Sequence, residues 1–168
     1  QARPQWGRLE RVPTALPAAV FVDYAHTDDA LRNVLTTLRE ITRGRLIVVF
    51  GCGGNRDRTK RPLMGRVCAE LADWLVVTSD NPRGEEPMSI IGQILEGVSA
   101  DTAVAVEPDR RAAIRLALAE SGPDDVVLVA GKGHEPFQEL ADRTVPFDDR
   151  QVVAEEARTV GGAGRQDR

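Results

Sequence analysis

The chain has 168 residues, 42% hydrophobic and 29% charged, with a formal net charge of −4. That length suits one ordinary domain with room for a buried core, the acidic balance argues against nucleic acid as a partner, and no apolar stretch approaches the roughly 18 residues of a membrane span. The two cysteines, Cys52 and Cys68, form no C-x-x-C pair and have no histidine at metal-ligand spacing. They read as reduced core thiols, which fits a cytoplasmic address, and no metal ligand is assigned.

The opening Gln1-Ala2-Arg3-Pro4 shows neither an initiator Met nor the basic-then-apolar pattern of a secretion signal, and the expectation is a piece of a longer polypeptide. Short, continuous Val/Ile/Leu runs recur at Val20–Val22, Leu46–Phe50, Leu75–Thr78, Ala103–Val106 and Val126–Ala130. Continuous rather than alternating runs predict strands buried on both faces. Between and after them, helical spacing marks Asp28–Ile41, Arg61–Ala72, Pro87–Val98, Arg110–Ser121 and Arg150–Val160. The alternation predicts an α/β, Rossmann-like, mostly parallel sheet with helices on both faces, in a single domain over residues 1–160. Trp6–Val12 offers a further strand, Thr144–Phe147 is extended with a proline that confines it to an edge, and the Gly-rich 161–168 reads as a disordered tail.

Ligands of open α/β sheets bind beyond the carboxyl ends of the strands, and the unusual residues follow the apolar runs: Tyr24-Ala25-His26, Gly51-Cys52-Gly53-Gly54, Asp80-Asn81-Pro82-Arg83 and Gly131-Lys132-Gly133-His134-Glu135. These loops should share one edge. The glycine run through Pro62 invites a phosphate, or is a tight strand-to-helix turn with solvated charges; it does not match G-x-x-x-x-G-K-[ST], so the chain has no P-loop of its own. Asp80 to Arg83 could present a guanidinium fork to a carboxylate, or be an ordinary Asx-Pro turn. His26 could touch a nucleotide or help cap the next helix with Thr27, and His134 beside Glu135 is equally open.

Taken in order, these runs resemble the C-terminal, amino-acid-binding (glutamate-ligase-type) domain of the Mur ligases, in particular members that add meso-diaminopimelate. The resemblance covers nearly the whole chain: Gly7-Arg8-Leu9-Glu10, Asp23 through Thr27, the glycine run ending Lys60-Arg61-Pro62-Leu63-Met64-Gly65, Asp80 through Arg83 with Glu85-Glu86-Pro87, and Gly131–Glu135. Each piece alone is weak, and the ordered set is specific. Asp28 stands where the family usually has Pro, and Asn55 where it usually has Asp, so position 55 is given no role.

The resemblance implies an ATP-dependent acid–amino-acid ligase of peptidoglycan precursor synthesis, monomeric and cytoplasmic. ATP with Mg²⁺ activates the D-glutamate carboxylate of UDP-MurNAc-L-Ala-D-Glu as an acyl phosphate, which an amine of meso-diaminopimelate attacks. The family's N-terminal UDP-binding and central ATPase domains, the latter carrying most of the ATP and Mg²⁺ site, have no counterpart in this chain. The chain alone is therefore expected to be inactive and is assigned no catalytic residue. Position by position, Arg56, Asp80, Asn81, Arg83, Gly131 and Glu135 would bind diaminopimelate, with Arg83 on the distal carboxylate and Glu135 on the distal ammonium. Arg8, Asp23, Tyr24 and His26 would close over ATP. Diaminopimelate differs from lysine by a second carboxylate, which a planar guanidinium can grip through two hydrogen bonds. The alternatives are a ligase domain for another amino acid (lysine, or the folylpolyglutamate type) and a free-standing, non-catalytic amino-acid-binding module.

Overall fold

The computed structural model describes residues 9–166. Strands β1 (Glu10–Val12), β2 (Ala19–Asp23), β3 (Leu46–Phe50), β4 (Trp74–Val77), β5 (Val104–Val106) and β6 (Val126–Ala130) form a six-stranded sheet in the order β1-β2-β6-β3-β4-β5. Only β1 is antiparallel to its neighbour; the other pairings are parallel. Helices α1 (Asp28–Ile41), α2 (Lys60–Leu71) and α3 (Pro87–Leu95) cover one face, and α4 (Arg110–Glu120) and α5 (Asp149–Gln166) the other.

The period of two along each strand divides the core. Val48, Phe50, Leu75, Val77 and Leu128 pack with Leu31, Leu35, Met64, Ile91 and Ile94 on the first face. Ile47, Val49, Val76, Val127 and Val129 pack with Ala113, Ile114, Leu118, Val152 and Val153 on the second. Both faces need apolar residues, so β3, β4 and β6 are unbroken in hydrophobicity, and burying each such side chain contributes about 1.5–3 kcal/mol. At the sheet edge β5 leaves Val104 and Val106 exposed, against the expectation of burial on both faces. Helix starts follow local chemistry. The side chains of Thr27, Glu86 and Asp109 accept from the backbone N–H of Ala30, Ser89 and Ala112, and Pro87 occupies the first turn of α3.

The amino ends of the strands are fastened by two carboxylates. Asp125 accepts from Arg45 N (2.7 Å), Gly122 N (2.9 Å) and the Arg45 guanidinium (3.1 Å). Asp73 accepts from Leu46 N and from Arg39, both at 2.8 Å. Burial pushes both carboxyls up, but the hydrogen bonds they accept outweigh it and hold them below the ordinary aspartate range.

The expected strands and helices are present, with ends moved by a few residues; of Trp6–Val12, residues 6–8 lie outside the described residues and Glu10–Val12 forms β1. The region Thr144–Phe147 does lie at an edge, as β8 (Thr144–Pro146) of a separate two-stranded ribbon. Its partner β7 (Phe137–Glu139) was not expected, because Phe-Gln-Glu is short and its middle residue is a buried polar one. Of the segment 161–168 expected as a disordered tail, residues 161–166 are helical, with α5 continuing through Gly161 and Gly162 to Gln166, and 167–168 lie outside the described residues. Once a helix is nucleated each further residue adds a hydrogen bond, which offsets the roughly 1 kcal/mol that glycine costs. No described helix is long and apolar enough to cross a membrane.

Candidate functional site

The loops leaving β2, β3, β4 and β6 surround a cavity of about 360 Å³ at the carboxyl edge of the sheet. Arg56, Asp80, Asn81, Arg83, Gly131 and Glu135 all line it, and so do Tyr24 and His26. Asn81 is the centre of the polar network. Its Nδ2 donates to Glu135 Oε1 (2.7 Å), and its Oδ1 accepts from Lys132 Nζ (2.7 Å) and Glu139 N (3.0 Å). Its backbone carbonyl accepts from Gly54 N at 2.7 Å, which ties the loop after β4 to the glycine loop after β3.

Lys132 is fully buried. Its ammonium lies 3.3 Å from Asp80 Oδ1 and 3.3 Å from Glu135 Oε1, and donates to the Phe137 carbonyl at 3.0 Å. A buried cation is tolerated only when paired in this way, and here the pairing locks the acidic wall in place. Gly131 has φ +117°, and a Cβ there would lie 2.6 Å from Asp80 Oδ2. Only glycine lets β6 turn so close to that carboxylate.

Arg83 also has a left-handed backbone, φ +51°. Its Nε and Nη2 are each 2.8 Å from Glu139 Oε2, and its Nη1 donates to the Gly54 carbonyl at 2.9 Å. Arg61, 1% exposed, bonds the Gly53 carbonyl (2.9 Å), Gln93 Oε1 (2.9 Å) and Glu85 Oε2 (2.7 Å), fixing the glycine loop against α2 and α3. Arg56 is held more loosely, through Nη1 to the Asn55 carbonyl at 3.1 Å. Asn55 adopts φ +54°, a conformation asparagine tolerates better than most residues. In the cavity wall the Cys52 thiol, 3.4 Å from Met64 Sδ, is pushed up to about 12 by burial and by nearby Asp80, against the opposing pull of Arg61. Cys68, buried behind it, is raised as well, chiefly by burial.

Behind the cavity Arg110 forks onto Asp149 at the start of α5 (2.9 and 2.7 Å) and donates to the carbonyls of Ser79 (3.0 Å) and Ala130 (3.1 Å). It thereby fixes the ends of β4 and β6, from which Asp80 and Gly131 follow. Burial works against its charge, yet pairing with Asp149 raises its pKa.

On the β2 side, the Tyr24 and His26 rings meet edge to face at 4.5 Å, and His26 Nδ1 lies 2.8 Å from the Tyr24 carbonyl. Thr27, not His26, caps α1. Asp23 does not line the cavity; its buried carboxylate accepts from the backbone N–H of Leu9 and of Ala25 and so shapes this loop. Arg8 lies outside the described residues. His134 pairs through Nε2 with Glu10 Oε2 at 2.6 Å. Among the described residues no three His, Cys, Asp or Glu side chains cluster as a metal site. Sequence reasoning missed Arg61, Arg110, Lys132, Gln138 and Glu139. Lys132 stands inside a run already singled out, whereas Arg110 resembles any arginine in the first turn of a surface helix.

The cavity brings cationic and anionic side chains together at the rim of the parallel sheet of an α/β domain. The chain belongs to the family described as "Mur ligase, glutamate ligase domain", whose pattern matches residues 7–133. It is 55% identical over 150 residues to the UDP-N-acetylmuramoyl-L-alanyl-D-glutamate–2,6-diaminopimelate ligase of Solibacter usitatus, covering 89% of this chain and 30% of that protein. The Acidovorax sp. enzyme of the same name is 59% identical over 150 residues, 88% of this chain and 30% of that one. A solved structure of a ligase of that name superposes with a TM-score of 0.85 at 38% identity, over 98% of this chain and 33% of that chain. The bifunctional folylpolyglutamate synthase/dihydrofolate synthase of Yersinia pestis, at TM-score 0.60 and 24% identity over 78% of this chain and 29% of its own, shares the fold. The chain spans about a third of the length of these relatives.

Proposed function

We propose that this chain is the amino-acid-binding domain of an ATP-dependent ligase that joins meso-diaminopimelate to UDP-MurNAc-L-Ala-D-Glu in the cytoplasm. The observation that carries the reading is that the Arg83 guanidinium and the carboxylates of Asp80 and Glu135 line one cavity. A distal carboxylate would meet Arg83 and a distal ammonium the acidic wall, so the two-headed ligand is gripped at its far end. Its near amine then points away from the grip as the nucleophile. Lysine, without the second carboxylate, would leave the Arg83 N–H groups that Glu139 and Gly54 do not engage without an acceptor from the ligand. The identities of the diaminopimelate ligases favour this reading over a folylpolyglutamate-type activity, for which the likeness is one of fold.

ATP would supply the phosphoryl group that activates the acceptor carboxylate. Exposed Tyr24 and its neighbour His26 offer aromatic surface on the opposite side of the same cavity, suited to closing over a nucleotide held by a separate domain. Asp23 would act there only by shaping the loop, and Arg8 is proposed on resemblance alone. Mg²⁺ would sit with the phosphates on that other domain, and the working unit is proposed to be a monomer.

The test is Arg83→Ala in the full-length ligase. Removing one partner of a desolvated charge pair costs about 2–5 kcal/mol, so KM for meso-diaminopimelate should rise by about 30-fold or more. KM for ATP should stay near its original value. Parallel losses for both substrates would refute the assignment.

A further inference from the structure

We infer that Glu139 is a positioning residue for amino-acid selection: through its carboxylate it holds the Arg83 guanidinium with its two spare N–H groups turned to the ligand's far carboxylate. This rests on the reading of the cavity as the diaminopimelate site. A guanidinium carries five N–H groups. One oxygen of Glu139 takes the Nε edge, accepting from Nε at 2.8 Å with Nη2 in ion-pair contact at 2.8 Å, and the Gly54 carbonyl takes one N–H of Nη1 at 2.9 Å. At least one N–H then remains on each terminal nitrogen, enough for the two-bond grip of a carboxylate. Glu139 therefore stabilises the side of Arg83 that the ligand does not use, and does not stand in for the ligand.

The approach is crowded on its other side. A Cβ on Gly53 would lie 2.9 Å from Arg83 Nη1, so the guanidinium is boxed between the glycine loop and the β7–β8 ribbon. A long side chain has many rotamers, and holding it in one before the ligand arrives removes an entropic cost of binding. The ribbon itself does not depend on the Glu139 carboxylate. Gln138 Nε2 donates to the Asp80 carbonyl (2.8 Å), Glu139 N donates to Asn81 Oδ1 (3.0 Å), and Arg83 N donates to the Glu139 carbonyl (3.1 Å). The Glu139 side chain is 38% exposed, so truncating it opens no interior void. Its role can thus be removed without removing the wall.

The experiment uses the full-length ligase with meso-diaminopimelate and ATP varied separately. Glu139→Ala is expected to raise KM for meso-diaminopimelate about 10-fold, the scale of one lost charge-assisted hydrogen bond, with kcat and the ATP KM within about 2-fold. Glu139→Gln keeps an oxygen that accepts from Nε and is expected to stay within about 3-fold of the parent. An unchanged or lowered diaminopimelate KM in Glu139→Ala, a parallel rise in the ATP KM, or a loss in Glu139→Gln equal to that in Glu139→Ala would each overturn the role. Arg83→Ala, measured alongside, separates the two levels. If it binds diaminopimelate normally, the reading of the cavity falls; if it is impaired while Glu139→Ala is normal, only the positioning role falls.

Discussion

The guanidinium of Arg110 and the carboxylate of Asp149 meet in a two-bond fork with both side chains at 0% exposure. Breaking such a pair leaves an uncompensated charge in the interior. Arg110→Met is therefore expected to lower unfolding free energy by about 3–5 kcal/mol, read by urea denaturation. The double variant Arg110→Met/Asp149→Leu should recover much of that loss, because a pair of apolar residues leaves no stranded ion. A single variant as stable as the parent would show that the fork carries no weight.

Gly65 lies within α2, where alanine would ordinarily be the better helix former by about 1 kcal/mol. Here the sign should reverse. A Cβ at Gly65 would run into the Ile94 carbonyl oxygen of α3 and come within 3.2 Å of Ile94 Cγ2. Gly65→Ala is expected to cost about 1–3 kcal/mol through overpacking of the two helices. Thermal melts decide it, and a higher Tm would contradict the close approach.

Asp125 and Asp73 have depressed carboxyl pKa values in the folded chain. A depressed folded value means that the stabilisation is present above the ordinary aspartate value of about 3.9 and is lost as pH falls through the folded value. Stability should hold near neutrality and drop as the medium becomes more acidic than about pH 4. Asp125→Asn, already weaker at neutral pH, should show a shallower acid slope. An unchanged slope in that variant would mean the acid sensitivity lies elsewhere.

The 168-residue chain by itself is expected to form no amide from ATP, acceptor and diaminopimelate, since it has no P-loop of the G-x-x-x-x-G-K-[ST] kind. A coupled assay of ADP release with the purified chain checks this. Turnover at the level of an intact ligase would sink the proposed division of labour.

Much of the fold was legible because a parallel sheet buried on both faces imposes unbroken runs such as Leu46–Phe50 and Val126–Ala130. The strand order was not. Nothing local in Val126–Ala130 says that it slots between β2 and β3, since that is decided by which apolar faces the helices leave open. The site loops announced themselves through residues that are costly in regular structure: glycines, Pro82, and a charge next to each. The cations behind them were hidden, because burial of Lys132 or Arg110 is made tolerable by partners 51 and 39 positions away in sequence. Asp23 shows the converse: its place in a motif suggested nucleotide contact, while its oxygens hold the backbone of Leu9 and Ala25.

The β7–β8 ribbon hangs outside the main sheet and reaches the cavity through polar contacts at Asp80, Asn81 and Lys132. No residue of the ribbon belongs to either hydrophobic core cluster of the sheet. Rim and scaffold are thereby separable in this domain: a substitution on the exposed side of the short strip can reshape the mouth of the cavity without disturbing the residues that pack the six-stranded sheet.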